Sequence, residues 1–385
     1  MDVRKEKVDM NIAFYEIKGQ NILSINFVIP IGTKTIYDGK VNKFAHLVEH
    51  LLFHGHPEYS QYELMLKLEE MGAIVNAETN DFYTELYARI QKKYLKNVVK
   101  ILSEAILIFD IRKQDYLREK EIIRIEEYDW NKTGMSLIGN IVDSCFESIK
   151  KDRSPSFFNL KSIYEALYNN WSLVIIGDVS PENKDEIYSL FKSNNKKEIN
   201  FPKNILTTKM INKKFYFNNK VDGKQVFTYV HECTKTTGII EMKLICNIYA
   251  VGLSSVLYDY LVAENNYCYS INFKDYVVDN KFFAIYFTYE NIKFNELKSY
   301  FDNIFTEDFV RNLPMKEIER AINMVITHTL LKRENTSSIM NDIIENYIFN
   351  QDITINQDVF EEVKRLSVED ARSIVIKALF QSEGV

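Results

Sequence analysis

No uninterrupted apolar run in this chain approaches the ~20 residues that a membrane-spanning helix requires, so no helical span is predicted. The stretch Met1-Asp2-Val3-Arg4-Lys5-Glu6-Lys7 is charged and lacks the apolar core of an export signal. Cysteine is scarce: Cys145, Cys233, Cys246 and Cys268 lie far apart, and none forms a C-x-x-C pair. In a chain without an export signal they read as reduced core thiols, and the expected compartment is the cytoplasm. Basic residues are not in surplus. Lys and Arg number 48 against 54 Asp and Glu, giving a formal charge of −6 and a pI near 5.7. The cations are scattered and form no stripe, which argues against a nucleic-acid partner. Low-complexity sequence is absent as well.

The 385 residues, 46% of them hydrophobic, are enough for two or three domains with real cores. Strand and helix patterns are interleaved. Ile22 to Ile31 reads as a strand feeding Gly32, and Phe44 to Phe53 as an amphipathic helix ended by Gly55 and Pro57. Tyr62 to Met71 is a helix closed by Gly72, followed by two strands within Ile74 to Ile90 that turn at Asn80-Asp81. Leu95 to Ile108 and Gln114 to Trp130 have helical spacing, and Trp171 to Ile176 is a buried-type strand before Pro181 opens another helix. A polar stretch rich in Asn and Lys then marks a linker at 198–214, between a first domain at 1–197 and a second at 215–385. The second block repeats the grammar: a strand near Gly238 to Ile248, a helix near Leu253 to Ala263, strands from Tyr269 to Tyr289, then helices. Similar size and order suggest a duplicated unit.

The chemistry begins at His46-Leu47-Val48-Glu49-His50. At about 100° per residue, the two histidines differ by roughly 40° around a helix axis, so both rings can reach one metal ion. Glu49 lies beside them, placed to handle a proton. This is the H-x-x-E-H order, the reverse of the commoner H-E-x-x-H zinc-peptidase motif. A catalytic zinc usually keeps three protein ligands and one open position. Glu119 and Glu126 are candidates for the third. Seven residues apart, they share one face of their helix with Ile122 and Ile123 between them, and a carboxylate on an apolar face calls for a partner or a metal. Glu121 and Glu127 point elsewhere and read as solvated.

Together these stretches resemble the pitrilysin/insulinase family of zinc peptidases, the inverzincins, which includes mitochondrial processing peptidase. The resemblance starts in Ser24-Ile25-Asn26-Phe27-Val28-Ile29-Pro30-Ile31-Gly32 and continues through Ala45-His46-Leu47-Val48-Glu49-His50-Leu51-Leu52-Phe53-His54-Gly55. Met71-Gly72-Ala73-Ile74-Val75-Asn76-Ala77-Glu78-Thr79 is similar to the family's G-x-x-x-N-A-x-T. Glu119 to Glu126 is similar to its E-x-x-x-x-x-x-E helix, and Val174 to Pro181 to its closing strand and turn.

The resemblance implies an α+β fold of two similar domains, each a mostly antiparallel sheet packed against helices, the first carrying zinc and the second not. It implies one zinc ion per chain, with His46, His50 and Glu126 as ligands. Glu49 becomes the general base, and Glu119 the acid that supports the site. Asn76 and Ala77 are expected on a strand to which an extended peptide substrate adds by backbone hydrogen bonding. Of the other histidines, His54 is expected to be a packing or surface residue, His56 to lie in the following loop, and His231 and His328 to be structural.

The second half departs from the family's R-E-x-x-G-L-x-Y pattern. In Val262-Ala263-Glu264-Asn265-Asn266-Tyr267-Cys268-Tyr269 the tyrosine is kept as Tyr269, expected to bind substrate, while Val262 replaces the arginine and Asn266 the glycine. The implied activity is zinc-dependent endopeptidase action on short or unfolded peptides inside a dimeric clamshell, the partner being a second copy or a related chain. Leader removal from a ribosomally made peptide is one form this could take. A non-catalytic or regulatory subunit of a heterodimeric family peptidase is the alternative.

Overall fold

The computed structural model describes residues 4–9, 11–37, 40–41, 44–56, 58–130, 134–146, 155–168, 170–191, 210–277, 281–350 and 358–381. The expected linker at 198–214 lies outside them except for residues 210–214. The chain forms two compact units. One comprises Met1–Glu127, Ile149–Ile205 and Arg333–Asn356; the other comprises Tyr128–Ser148, Leu206–Lys332 and Gln357–Val385. Each unit therefore takes in a helix-bearing segment from the other half of the sequence.

In chain order the elements are β1 (Arg4–Asp9), β2 (Ile12–Glu16), β3 (Ile22–Ile29), β4 (Ile36–Tyr37), β5 (Lys40–Val41), α1 (Phe44–Leu51) and α2 (Gln61–Glu70). Next come β6 (Ile74–Thr79), β7 (Thr84–Gln91), α3 (Leu95–Leu107), α4 (Lys113–Trp130), α5 (Gly134–Ser144), α6 (Phe157–Leu167), β8 (Ser172–Gly177) and α7 (Pro181–Leu190). There follow β9 (Lys214–Val221), β10 (Lys224–Glu232), α8 (Ile239–Tyr249), α9 (Val256–Tyr258, continued as a π-helical turn over Asp259–Glu264), β11 (Asn272–Val277) and β12 (Lys281–Tyr289). The last are α10 (Phe294–Ile304), α11 (Glu307–Asn312), α12 (Met315–Glu334), α13 (Thr336–Asn350), α14 (Asp358–Arg365) and α15 (Val368–Phe380).

The first unit is built on a six-stranded sheet in the order β1-β2-β8-β3-β7-β6, antiparallel except where β2 meets β8. The second has a four-stranded antiparallel sheet in the order β11-β12-β10-β9. Both are mixed helix-and-sheet units of the α+β kind expected. Strand alternation decides their layering. In β3, Leu23, Ile25, Phe27 and Ile29 face a core shared with α1, α2, α3, α6 and α7. Val28 turns to the opposite face, with Ala13, Tyr15, Val174 and Ile176, where α13 lays Ile339, Met340, Ile343, Ile344 and Tyr347 across the sheet. That stripe has the helical period, so α13 is an amphipathic cover for its unit. In the second unit Phe146, just after α5, packs edge-on against Phe282 of β12.

The sequence pattern misplaces one element of the second unit and omits a hairpin. A strand is expected near Gly238 to Ile248, but α8 fills that stretch. Its apolar residues run so densely that strand and helix periods cannot be told apart. The helix start is fixed locally, where the Glu241 carboxylate accepts the Gly238 N–H at 3.0 Å. The β9–β10 hairpin is the second difference. It turns on Asp222-Gly223, both in the left-handed region (φ 47° and 80°), which is the Asp-Gly turn that matches strand twist.

Two local devices position the edge strand β6. At the end of α2, Gly72 takes a positive φ of 67° while its N–H and that of Ala73 return to the carbonyls of Glu69 and Leu68. This six-to-one closure ends the helix and sends the chain into β6. At the far end, the β6–β7 turn lies so close to Gly32 that a Cβ there would stand 2.4 Å from the Phe82 nitrogen. Only glycine fits that approach. Thr33 N–H donates to the Asn80 carbonyl at 2.8 Å across the same gap. β6 pairs with β7 alone, so among the described residues its other edge is open.

Candidate metal centre

Helix α1 buries Phe44, Ala45, Leu47, Val48 and Leu51 against the core. The remaining stripe, His46, Glu49 and His50, is only partly covered. Packing of five apolar side chains thus aims three chemically active ones to a common side. The third candidate ligand comes from α4, whose Glu126 side chain is 49% exposed.

His46 Nε2 and His50 Nε2 are 3.2 Å apart, and Glu126 Oε2 lies 3.5 Å from the first and 3.3 Å from the second. An ion bound tetrahedrally with bonds of 2.0–2.1 Å would hold its ligand atoms about 3.3 Å apart. The triangle fits that edge length, and its N, N, O donor set suits zinc. Among the described residues this is the one group of three or more His, Cys, Asp or Glu side chains with metal-binding geometry.

Glu49 lies next to this triangle, with the Thr79 side chain at the end of β6 among its polar neighbours. Burial raises its pKa above the usual carboxylate value, against the lowering effects of Thr79 and His50. A carboxylate moved upward in this way is better matched to proton exchange near neutral pH.

Glu119, two helical turns before Glu126, does not join the triangle. It is 6% exposed, and its Oε2 stands 3.1 Å from His50 Nδ1. A carboxylate there takes the Nδ1–H and leaves Nε2 as the free donor atom of the ring. Its other oxygen, Oε1, lies 3.1 Å from His54 Nε2. That nitrogen is fully buried and stands off the hydrogen-bond axis, so the contact has ion-pair distance without hydrogen-bond alignment. His54 Nδ1 lies 3.8 Å from Asp115 Oδ1, and Arg112 grips Asp115 through Nε at 2.7 Å and Nη2 at 3.2 Å.

The His54 side chain is therefore buried, 4% exposed, and packs inward as a packing residue would. The signal for its acidic surroundings was present in the spacing. His46, His50 and His54 recur every four residues, as do Asp115 and Glu119 on the facing helix. The break after α1 hid it, because α1 ends at Leu51 and helical spacing no longer guarantees a shared face. His56 bonds Glu104 of α3 at 3.0 Å, accepts the Glu58 N–H at 3.2 Å, and stacks on Tyr59. It ties its loop to α3.

Asn76 and Ala77 lie side by side on β6. Asn76 is exposed and reaches the Tyr87 hydroxyl at 3.3 Å, while Ala77 is buried toward the core. Tyr269 belongs to the second unit, in the segment before β11, and is 92% exposed. In the same segment Asn266 has φ 53°. The residue that replaces the family glycine thus keeps the left-handed backbone that glycine favours.

The profile of the family described as Insulinase (Peptidase family M16) matches residues 20–146, and that of the Peptidase M16 inactive domain matches residues 159–325. The chain belongs to the insulinase peptidase family. An uncharacterized zinc protease of Rickettsia bellii is 20% identical over 393 aligned residues, covering 96% of this chain and 92% of that one. The human mitochondrial-processing peptidase subunit beta is 33% identical over 109 residues, which are 28% of this chain and 22% of that subunit. The fold is shared with a protease from Helicobacter pylori, with TM-score 0.80 and 14% identity over 98% of this chain and 96% of the other. It is also shared with a Pseudomonas fluorescens structure described as a peptidase M16 inactive domain, with TM-score 0.79 and 12% identity over 98% and 95% of the two chains. As an insulinase-family chain, it has its metal-binding geometry within the first matched segment, and the second segment shows no such cluster among its described residues.

Proposed function

We propose that this insulinase-family chain is a zinc-dependent endopeptidase, with one metal ion per chain, acting on short or unfolded peptides. The observation that carries this reading is the triangle of 3.2, 3.3 and 3.5 Å formed by His46, His50 and Glu126, with Glu49 beside it. A zinc ion held by those three residues would lower the pKa of a bound water toward neutrality and would polarise a peptide carbonyl.

The chain's own groups supply the rest. Glu49 takes a proton from the attacking water and returns it to the leaving amine. Glu119 keeps His50 in the tautomer that presents Nε2. An extended peptide adds as a further strand along the open edge of β6, held by the strand backbone over the stretch that contains Asn76 and Ala77, and its chain passes Thr79 near Glu49. Tyr269 is proposed as a further side-chain contact to the substrate. Recognition by strand addition reads an extended conformation more than a sequence, which is why the substrate class is unfolded peptide.

The test is metal analysis with a peptide-library digest of the purified protein. Glu49→Gln is expected to retain near one zinc per chain while cleavage falls at least about 100-fold. Wild-type protein without stoichiometric zinc, or Glu49→Gln with undiminished cleavage, overturns the reading.

The working form is proposed to be a dimer with a related chain that contributes the substrate-binding arginine which Val262 replaces here. The support is that replacement, together with the human relative's being named as a subunit. Solution mass measured alongside activity decides it. A fully active homodimer, or an active monomer, would sink the heterodimer.

A further inference from the structure

We infer that His54 is a positioning residue for the metal centre, acting through the carboxylate of Glu119. The inference rests on the reading that His46, His50 and Glu126 hold zinc. Glu119 has two oxygens and two imidazoles to face. Oε2 stands 3.1 Å from His50 Nδ1, and Oε1 stands 3.1 Å from His54 Nε2. All three side chains are largely buried, with exposures of 14% for His50, 6% for Glu119 and 4% for His54. A carboxylate gripped at one oxygen can still swing about its terminal torsion, which is broad for Glu. Gripped at both, it holds the His50 ring in one plane and keeps Nε2 turned to His46 and Glu126.

His54 is itself held. Asp115 Oδ1 lies 3.8 Å from its Nδ1, and the Arg112 guanidinium fixes that carboxylate through two nitrogens. The chain of side chains is Arg112, Asp115, His54, Glu119, His50. Among the described residues Arg118 also approaches Glu119, but its Nε is 3.9 Å away and its side chain is 65% exposed, so solvent competes with it. Among the described residues, His54 is the buried side chain that meets Glu119 Oε1. Its Nε2 is fully buried and has no aligned acceptor, so its hold on Glu119 is the 3.1 Å approach to Oε1 in a site shielded from solvent.

The experiment measures zinc affinity of the full chain by competition with a chromophoric chelator, independently of peptide cleavage. Partners behind metal ligands typically set affinity by about 10–100-fold. His54→Phe is expected to weaken zinc binding about tenfold, at the low end of that range. His54→Gln, whose amide can donate to Glu119, is expected to recover most of the loss. In a Glu119→Gln background His54→Phe should have no further effect, because its route to His50 is already cut. The cobalt-substituted protein gives a second readout, with a shifted visible absorption band in His54→Phe and the wild-type band in His54→Gln. If His54→Phe lacks a cooperative thermal transition, His54→Asn, too short to reach Glu119, replaces it throughout. Unchanged affinity overturns the inference, as do equal losses in the Gln and Phe variants or a His54 effect that persists without Glu119. Wild-type protein that binds no zinc would instead overturn the metal-site reading.

Discussion

His50 Nδ1 stands 3.1 Å from Glu119 Oε2, while the other nitrogen of the same ring stands 3.3 Å from Glu126 Oε2. One imidazole thus spans two carboxylates set seven residues apart on α4, and the two ends of the ring have different work. On the proposed zinc reading, the contact with Glu119 would hold the ring proton at Nδ1 and leave Nε2 for the metal beside Glu126.

The first prediction separates those two acids. Glu126→Gln removes a ligand charge, so its zinc affinity should fall by more than the about 10–100-fold typical of changes behind a ligand, and cleavage should fall with it. Glu121→Gln is the control, since Glu121 is exposed and paired with Arg124 at 2.7 Å. It should alter neither property. Full zinc occupancy and activity in Glu126→Gln, measured after dialysis against a chelator, would reassign the third ligand.

The open edge of β6 gives the second. Successive N–H groups of a strand point to opposite sides, so of Asn76 and Ala77 one donates toward β7 and the other toward the open edge. Proline removes the N–H. One of Asn76→Pro and Ala77→Pro should lose thermal stability, and the other should keep its fold and raise KM for peptide. Unchanged KM in whichever variant stays folded would argue against strand addition.

A pH dependence follows from His231 on β10. It faces the Tyr229 hydroxyl at Nδ1 and the Leu379 carbonyl at 3.3 Å from Nε2, and it stacks on Phe283. Burial, with the Lys214 charge next in weight, pushes its pKa from 6.5 down to about 3. The unfolded chain therefore binds a proton below about pH 6.5 that the folded chain refuses until about pH 3. Stability from this group is complete above that window and is lost as pH falls through it, at up to about 1.4 kcal/mol per pH unit. Denaturant midpoints taken across the window should fall more steeply in wild type than in His231→Leu. Parallel slopes would remove His231 as the cause.

Much of the site was legible because its parts are helical. The four-residue step from His46 to His50 and the seven-residue step from Glu119 to Glu126 each put two groups on one face, whatever the rest of the chain does. His54 was not legible as a partner of Glu119, because α1 ends at Leu51 and periodicity stops being a guide to direction. The second unit shows the same limit. Its α8 is apolar on too many positions to reveal its period, and it is helical because of what packs around Met242, Leu244, Ile245 and Ile248. The Asp222-Gly223 turn went unread although the pair carries a local signal, since both positions take positive φ.

The sequence by itself determined the donor types, their spacing along each helix, and the family to which the chain belongs. These depend on neighbours a few residues apart, where backbone geometry fixes direction. Only the tertiary structure decided that α1 and α4 meet with three donor atoms 3.2 to 3.5 Å apart, and that His54 and Asp115 close behind Glu119. It also decided that α13, late in the chain, covers the sheet of the first unit. Those outcomes depend on packing between segments far apart in sequence, where the burial of many apolar side chains, and no local rule, sets which surfaces come together.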